Sequence, residues 1–435
     1  MGGRARPVLL AAALALGTAA AAGAAAAGPA AVARDPAFVA VDRARAAGLP
    51  GTPVESFTAQ QFDTDRDGDQ DLFYGLHDRG QQLFSADGDG TFTRSAATSW
   101  PAADPAGQVP DRHACRWGDL LGGPDSLPDV FCGAGRGGGN PVKGQGRLNE
   151  LWEQTAPGEF REVGAALGLG DPCGRTHYVV VEDVDRDGDD DIFAGNAAPR
   201  PVDPAVPDPC DDPANGLPNE QSKLFLNEEG TAFRDVSAEW GVGGGLAAAC
   251  AQSVDYDLDG YQDLLACRAD GPVLLRNELG ARFSQQQASA GLVAAPYQDA
   301  LMGHLNGDAW PDLVAVAGNR VVYQLGSATG FRPVVRAYST TDAVAVALGD
   351  ADADGRGGDI YVVRGSVPAR SNPPDVVLLN RGLRFSYVAV PAAGGIGDEV
   401  TALDPGGPGR PTRFFVQNGA EDATAPNQLI VLRRR

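Results

Sequence analysis

Short apolar runs alternate along this chain with acidic, glycine-bearing loops, and the order of the runs repeats. His177-Tyr-Val-Val-Val181 and Ala343-Val-Ala-Val-Ala347 each lead into such a loop. Leu72-Phe-Tyr-Gly75, Asp312-Leu-Val-Ala-Val316 and Ile360-Tyr-Val-Val363 each leave one. A third run follows, as Lys223-Leu-Phe-Leu-Asn227, Val273-Leu-Leu-Arg-Asn277 and Val376-Val-Leu-Leu-Asn380, and then a turn containing glycine. The fourth opens with Phe92, Phe160, Phe233, Phe283, Phe331 or Phe385. Runs this short, bounded by Gly, Asp and Asn, predict strands. Four strands per unit is the blade of a β-propeller, and a two-layer sandwich would not repeat a loop-strand unit in this way.

The loop Asp63-Thr-Asp65-Arg-Asp67-Gly68-Asp69-Gln-Asp71 recurs as Asp183-Val-Asp185-Arg-Asp187-Gly188-Asp189-Asp-Asp191. It returns as Asp255-Tyr-Asp257-Leu-Asp259-Gly260-Tyr261-Gln-Asp263. Looser copies are His304-Leu-Asn306-Gly-Asp308-Ala-Trp-Pro-Asp312 and Asp350-Ala-Asp352-Ala-Asp354-Gly355, the latter closing one residue late at Asp359. A degenerate copy runs from Asp119 through Asp125 to Asp129, and around Asp404 the acids are gone. Loop starts are 46 to 72 residues apart and count seven units. The last unit has strands near Val400, at Phe414-Phe415-Val416 and at Leu429-Ile430-Val431, but no Phe-led outer strand. Phe38-Val39-Ala40-Val41, followed by Gly48-Leu49, resembles Phe233-Arg-Asp-Val236 followed by Gly241-Val242. The expected fold is therefore all-β: one seven-bladed propeller of four-stranded blades over residues 34–435, closed by the N-terminal strand at 38–41.

Carboxylates at loop positions one, three and five bring hard oxygen donors to one centre, and Gly at position six permits the sharp turn. An EF-hand would need Glu at position twelve and flanking helices. Here position twelve is Tyr74, Ala194 or Ala266, and strands flank each loop. Asp at position nine can close the shell, with a backbone carbonyl at position seven. The expected Ca2+ ligands are Asp63, Asp65, Asp67, Asp69 and Asp71, then Asp183, Asp185, Asp187, Asp189 and Asp191, then Asp255, Asp257, Asp259, Tyr261 and Asp263. Asp350, Asp352, Asp354 and Asp359 make a fourth site. His304 replaces the first carboxylate of its loop and Ala309 the glycine, leaving Asn306, Asp308 and Asp312 as donors. The Asp119 loop is expected to hold no ion, and Asp87-Gly-Asp89-Gly90 reads as a hairpin turn. An all-oxygen shell disfavours zinc, and magnesium seldom takes an all-protein cage.

These loops, with the Leu-Phe-Leu-Asn…Gly…Phe…Asp-Val units, resemble FG-GAP/VCBS repeats, the blades of integrin α-subunit propellers and of many secreted bacterial proteins. Gly291-Leu292 and Gly241-Val242 after the Phe strand are similar to the cartilage acidic protein branch, without its extra C-terminal domain. The resemblance spans roughly residues 38–433. It implies a seven-bladed calcium-binding propeller with ligands at positions one, three, five and nine of each intact loop.

Charge and processing signals narrow the setting. Acids outnumber bases 57 to 35, giving a net charge of −22, which argues against nucleic acid. The bases are nearly all Arg, with only Lys143 and Lys223, and Ala, Gly and Pro are heavily used, as in a GC-rich genome. Arg4 and Arg6 precede the apolar run Val8–Leu16, and Ala31-Val32-Ala33 fits the small-residue cleavage rule. Residues 1–33 are read as a signal peptide of an exported, bacterial protein whose mature chain does not insert in a membrane. Export lets cysteines pair. Cys115/Cys132 and Cys250/Cys267 share a separation of 17, each placed about an acidic loop, so each is expected to bridge neighbouring strands. Cys173 and Cys210 remain, and their pairing would tie down the Pro/Asp-rich insertion at 198–220.

Three function classes fit such a scaffold: a secreted protein- or glycan-binding adhesion module, a polysaccharide-acting enzyme, or a structural cell-envelope component. The four histidines, His77, His113, His177 and His304, form no His-x-x-x-His pair, and no Gly-x-Ser-x-Gly elbow or phosphate loop is present. His113 and His177 lead into inner strands and are read as bonded to nearby backbone. Trp100, Trp117, Trp152, Trp240 and Trp310 are expected to pack between blades rather than form a sugar platform. Arg136-Gly-Gly-Gly139 reads as a loop. The insertions 100–114, 133–150 and 196–222 are the expected recognition surface. The chain is thus read as a monomeric, non-enzymatic binding module with an extracellular protein or glycan partner.

Overall fold

The computed structural model describes residues 32–76, 81–95, 100, 112–122, 126–135, 148–171, 174–197, 221–242, 246, 248, 250–268, 270–365, 372–391, 397–404, 409–418 and 425–435. Residues 1–31 of the expected signal peptide, the Cys173/Cys210 pair, His77, the Arg136 tract and most of the three insertions lie outside the described residues. The described residues fall in one compact unit, Val32–Arg435. Their strands form seven sheets, each a four-stranded antiparallel blade, and one of these carries a fifth strand.

The first strands of blades one to seven are Ser56–Phe62, Arg112–Gly118, Thr176–Glu182, Cys250–Val254, Asp299–Gly303, Ala343–Gly349 and Gly397–Leu403. Each touches the first strand of the next blade, and the seventh touches the first, so they make a closed inner ring. The second strands Asp71–Leu76, Asp129–Ala134 and Asp191–Asn196 are buried at every residue. A strand covered on both faces reads as a continuous apolar run, which explains why these segments do not alternate. Outer strands such as Phe92–Arg94 and Phe233–Asp235 bury the Phe and expose the next two residues.

The core is divided rather than central. Seven apolar clusters each lie between two neighbouring blades. Trp117 and Trp152 pack with Phe73 and Phe160 between blades one and two, and Trp100 packs against this cluster. Trp240 meets Phe283 edge-on between blades three and four. The two expected disulfides are present, Cys115–Cys132 and Cys250–Cys267, at directly paired positions of first and second strands. Among the described residues no helix is long and apolar enough to cross a membrane.

The N-terminal strand Phe38–Asp42 pairs antiparallel with Gln428–Arg434 and completes blade seven. Just before it, Ala33–Arg34 adds a parallel fifth strand to the outer edge of blade six, beside Ser386 and Tyr387. One segment therefore stitches two blades. The outer strand of blade five departs from expectation, because it is Val335–Ser339 and does not open at Phe331. Phe331 instead donates its backbone N–H to Ala290 of the preceding blade at 2.7 Å, as Phe233 and Phe283 do to Leu167 and Trp240. Pairing with the third strand begins only at Val335, opposite Tyr323, and a bulge at Ala337 follows within the outer strand itself.

Removing residues 32–42 should open the ring at blade seven. Hydrogen exchange should then show loss of amide protection across Gln428–Arg434, while Leu274 and Leu275 in blade four stay protected.

Candidate metal centres

Six of the seven loops between first and second strands follow one backbone path. At position four, Arg66, Gly122, Arg186, Leu258, Gly307 and Ala353 all take positive φ, from 56° to 83°. At position six, Gly68, Gly188, Gly260 and Gly355 have φ of 79° to 104°, where a side chain would be strained. The position-one carboxylate holds this second turn, since Asp63, Asp183, Asp255 and Asp350 each accept the position-six N–H at 2.9–3.1 Å.

Position nine anchors the loop. Asp71, Asp129, Asp191, Asp263, Asp312 and Asp359 open their second strands and are at most 1% exposed. One oxygen of each accepts the N–H of loop position two: Thr64, Leu121, Val184, Tyr256, Leu305 and Ala351 donate at 2.8–3.0 Å, with the Asp129 loop one residue later. The other accepts from the third strand or, in blade five, from two residues past it: Ala86, Gln154, Asn227, Asn277, Gly326 and Asn380 donate at 2.7–2.9 Å. Blades two and five make this clasp although their loops lack the full acid set.

A second amide extends the clasp to the neighbouring blade, and sequence reasoning assigned it no role. The side chains of Asn227, Asn277 and Asn380 donate to Leu120, Val184 and Leu305 of the preceding blade's loop at 2.7–2.9 Å. Their carbonyls accept from the following turn at Gly230, Gly280 and Leu383. In blade two Gln154 reaches Thr64 of blade one at 2.9 Å. The recurring Asn after Leu-Phe-Leu or Leu-Leu-Arg was the available signal.

The loops bring carboxylates together in four blades. Asp63, Asp65 and Asp67 form one group, Asp183, Asp185 and Asp191 a second, Asp255, Asp257 and Asp259 a third, Asp350, Asp352 and Asp354 a fourth. Within each group, one oxygen per residue lies within 4.8 Å of the others. Each group also contains one buried carboxylate oxygen with no hydrogen-bond partner: Oδ1 of Asp63, Asp183, Asp257 and Asp352. A buried, unpaired anionic oxygen is costly, and a hard cation is the group such oxygens would take. Asp69, Asp189 and Tyr261, at position seven, are not in these groups, and nor is Asp187. In blade five the Asn306 amide donates to Asp308 at 2.8 Å, and Asp312 serves the clasp. In blade two Asp119 pairs with Arg66 from the preceding loop.

Guanidinium groups touch two of the clusters. Arg276 holds the outer oxygen of Asp257 at 2.5 Å and Asp259 at 3.0 Å, and Arg381 holds Asp352 at 2.5 Å and Asp354 at 3.2 Å. Asp257 and Asp352 thereby turn their unpaired oxygens inward. Burial pushes Asp129, Asp263 and Asp359 up to about 7 and Asp191 up to about 8. Asp65 and Asp185 are raised by burial and then by the neighbouring loop carboxylates.

Polar side chains also join the inner strands. Gln60 accepts from the Trp117 N–H at 2.8 Å, Gln252 from Met302 at 2.7 Å, Asp299 from Val346 at 2.9 Å and Glu399 from Thr58 at 2.7 Å. Burial pushes Asp299 up to about 6. His113 and His177 stack ring on ring at 4.2 Å across blades two and three, with Phe57 against His113 at 4.5 Å.

No protein-family model and no curated protein matches this chain. Solved structures do. BBS1N, in complex with ARL6DN, aligns with a TM-score of 0.51 at 12% identity, over 88% of this chain and 93% of its own. A lectin from Agrocybe aegerita, described for specific recognition of non-reducing terminal N-acetylglucosamine, aligns at 0.48 and 14%, over 90% and 87%. The exotype rhamnogalacturonan lyase YesX gives 0.40 and 16%, over 81% and 62%. The chain is a seven-bladed β-propeller. At such identities the likeness concerns fold alone.

Clasp and cluster should separate by mutation. Asp129→Ala strands two buried backbone donors and should cost roughly 2–5 kcal/mol in chemical denaturation, with or without metal. Asp67→Asn leaves the clasp whole and should cost far less in metal-free protein. Raised carboxyl pKa values mean that the metal-free fold binds more protons than the unfolded chain between 3.8 and about 8. Metal-free protein should therefore lose stability as pH rises through that window, a trend that thermal melts at pH 5.5 and 8 would show.

Proposed function

We propose that this protein is an exported, calcium-stabilised propeller of the FG-GAP/VCBS kind that binds an extracellular protein or glycan. The observation that carries the calcium reading is the unpaired, buried carboxylate oxygen in each of the four acid-rich loops. Asp63, Asp65, Asp67 and Asp71 would hold the ion of blade one, and Asp183, Asp185, Asp187 and Asp191 that of blade three. Asp255, Asp257, Asp259 and Asp263 serve blade four, and Asp350, Asp352, Asp354 and Asp359 blade six. Backbone carbonyls of Asp69, Asp189 and Tyr261 add oxygen donors. Bound calcium supplies the positive charge that lets these acids stay ionised at neutral pH.

Export is supported by the two disulfides, which persist in oxidising surroundings. A binding role is supported by the architecture: the clasps make the loop ends rigid, and rigid scaffolds present variable loops for recognition. No catalytic residues are assigned.

Thermal unfolding of the mature chain, metal-stripped and then titrated with calcium, tests this reading, with magnesium as control. At about 100 times Kd each occupied site adds about 2.7 kcal/mol. Calcium should raise the melting temperature where magnesium does not, and Asp187→Asn with Asp259→Asn should remove part of the rise. An unchanged melt with no metal bound would end the calcium reading and leave the fold standing.

A further inference from the structure

Blade seven reverses the charge of the clasp. In the other six blades the last residue of the first strand pairs with the clasp aspartate: Phe62 with Asp71, Gly118 with Asp129, Glu182 with Asp191, Val254 with Asp263, Gly303 with Asp312, Gly349 with Asp359. In blade seven Leu403 pairs with Arg413. The strand position is the same, and an arginine stands where the others bury an acid.

Arg413 reaches toward blade one. Its guanidinium lies over the Phe92 ring at 5.3 Å, and its Nη1 donates to the Gly90 carbonyl at 2.9 Å. Nη2 donates weakly to Asp404 at 3.3 Å. Its Nε is buried and has no partner. Arg413 also lines a groove of about 350 Å³ along the seam between blades seven and one, together with Arg43, Arg410 and Arg433. The acid on that wall, Asp89, is engaged by the Thr91 hydroxyl at 2.6 Å and its N–H at 2.9 Å. The charge of Asp404 acts on Arg413, and among the described residues Arg43, Arg410 and Arg433 form no ion pair with a carboxylate. In a chain of net charge −22, four guanidinium groups around one groove, three of them without a carboxylate partner, make a local reversal that packing alone does not require.

We propose that this seam groove binds an oxyanion: a carboxylate, sulfate or phosphate group, free or carried by a sugar. Guanidinium forks match the planar or tetrahedral oxygens of such groups. The volume falls within the range of small-molecule sites. This names a ligand class for the binding role proposed above, and it holds whether or not the acidic loops take calcium.

The test is calorimetric titration of the folded mature chain, at low ionic strength, with sodium sulfate, a uronate-containing disaccharide and lactose as neutral control. Sulfate and the acidic disaccharide should each saturate one site, and lactose should not bind. Acidic disaccharide binding at least tenfold tighter than sulfate assigns the anion to a glycan; equal affinity assigns a free oxyanion. Arg410→Gln with Arg433→Gln changes two exposed side chains, keeps the core, and should weaken both ligands at least fivefold. Arg413→Lys keeps the charge but loses the guanidinium fork and should stay at least fivefold weaker than the native chain. The proposal is overturned if neither anion saturates on a folded chain, or if the double variant binds both as the native chain does. Sulfate binding in a chain whose melt ignores calcium would sink the cation reading alone.

Discussion

A buried carboxylate at the head of a second strand has to find two hydrogen-bond donors, and in six blades it finds the same two. One comes from loop position two or three and one from the third strand or just past its end, so a single side chain ties the loop to two strands. That constraint sets the loop's path, since the left-handed residue at position four follows directly from folding the chain back over the aspartate. It also fixes where the third strand ends, and hence where Asn227, Asn277 and Asn380 stand to reach the neighbouring blade. Blade corner and blade interface thus depend on one group. Its desolvation is expensive, which is why burial raises its pKa so far.

Clasp and acid cluster are separable layers of one loop. Among the described residues, six blades have the first and four have the second. The clusters also differ in how their charge is met. In blades four and six an arginine from the same blade holds the outer carboxylate oxygens and leaves an inner one unpaired. In blade one the loop's own Arg66 is spent on Asp119 of the next blade. Blade three's Arg186 lies over the Tyr261 ring at 4.6 Å. Mutual repulsion is therefore least relieved by protein groups in blades one and three.

Dividing the core into seven interfaces makes the ring depend on its seam. The N-terminal segment meets this demand twice, along the edge of blade six and then as the outer strand of blade seven. Backbone pairing there replaces a joint held only by side-chain contact. The same seam is where the acidic loop pattern ends and Arg413 takes the aspartate's place. Ring closure and charge reversal consequently fall on one edge of the molecule.

Much of this architecture was legible because it is local. Strand runs, turn glycines and the one-three-five-nine acid spacing lie within about a dozen residues, and a repeated local pattern forces a repeated local structure. Cys115/Cys132 and Cys250/Cys267 were readable for the same reason, each spanning one hairpin. The closing strand at Phe38 was readable because it resembled its counterparts in other blades. Phe331 was misplaced because its N–H bonds to Ala290 of the preceding blade, and pairing with the third strand starts only at Val335. The Asn bridges left only a recurring Asn as their trace in the sequence, and the His113–His177 stack and the arginine groove left none. Each joins residues from neighbouring blades or from the two ends of the chain, and only ring closure decides which of them meet. An aspartate at position nine looks in sequence like its neighbours at one, three and five; burial between blades is what makes it a clasp.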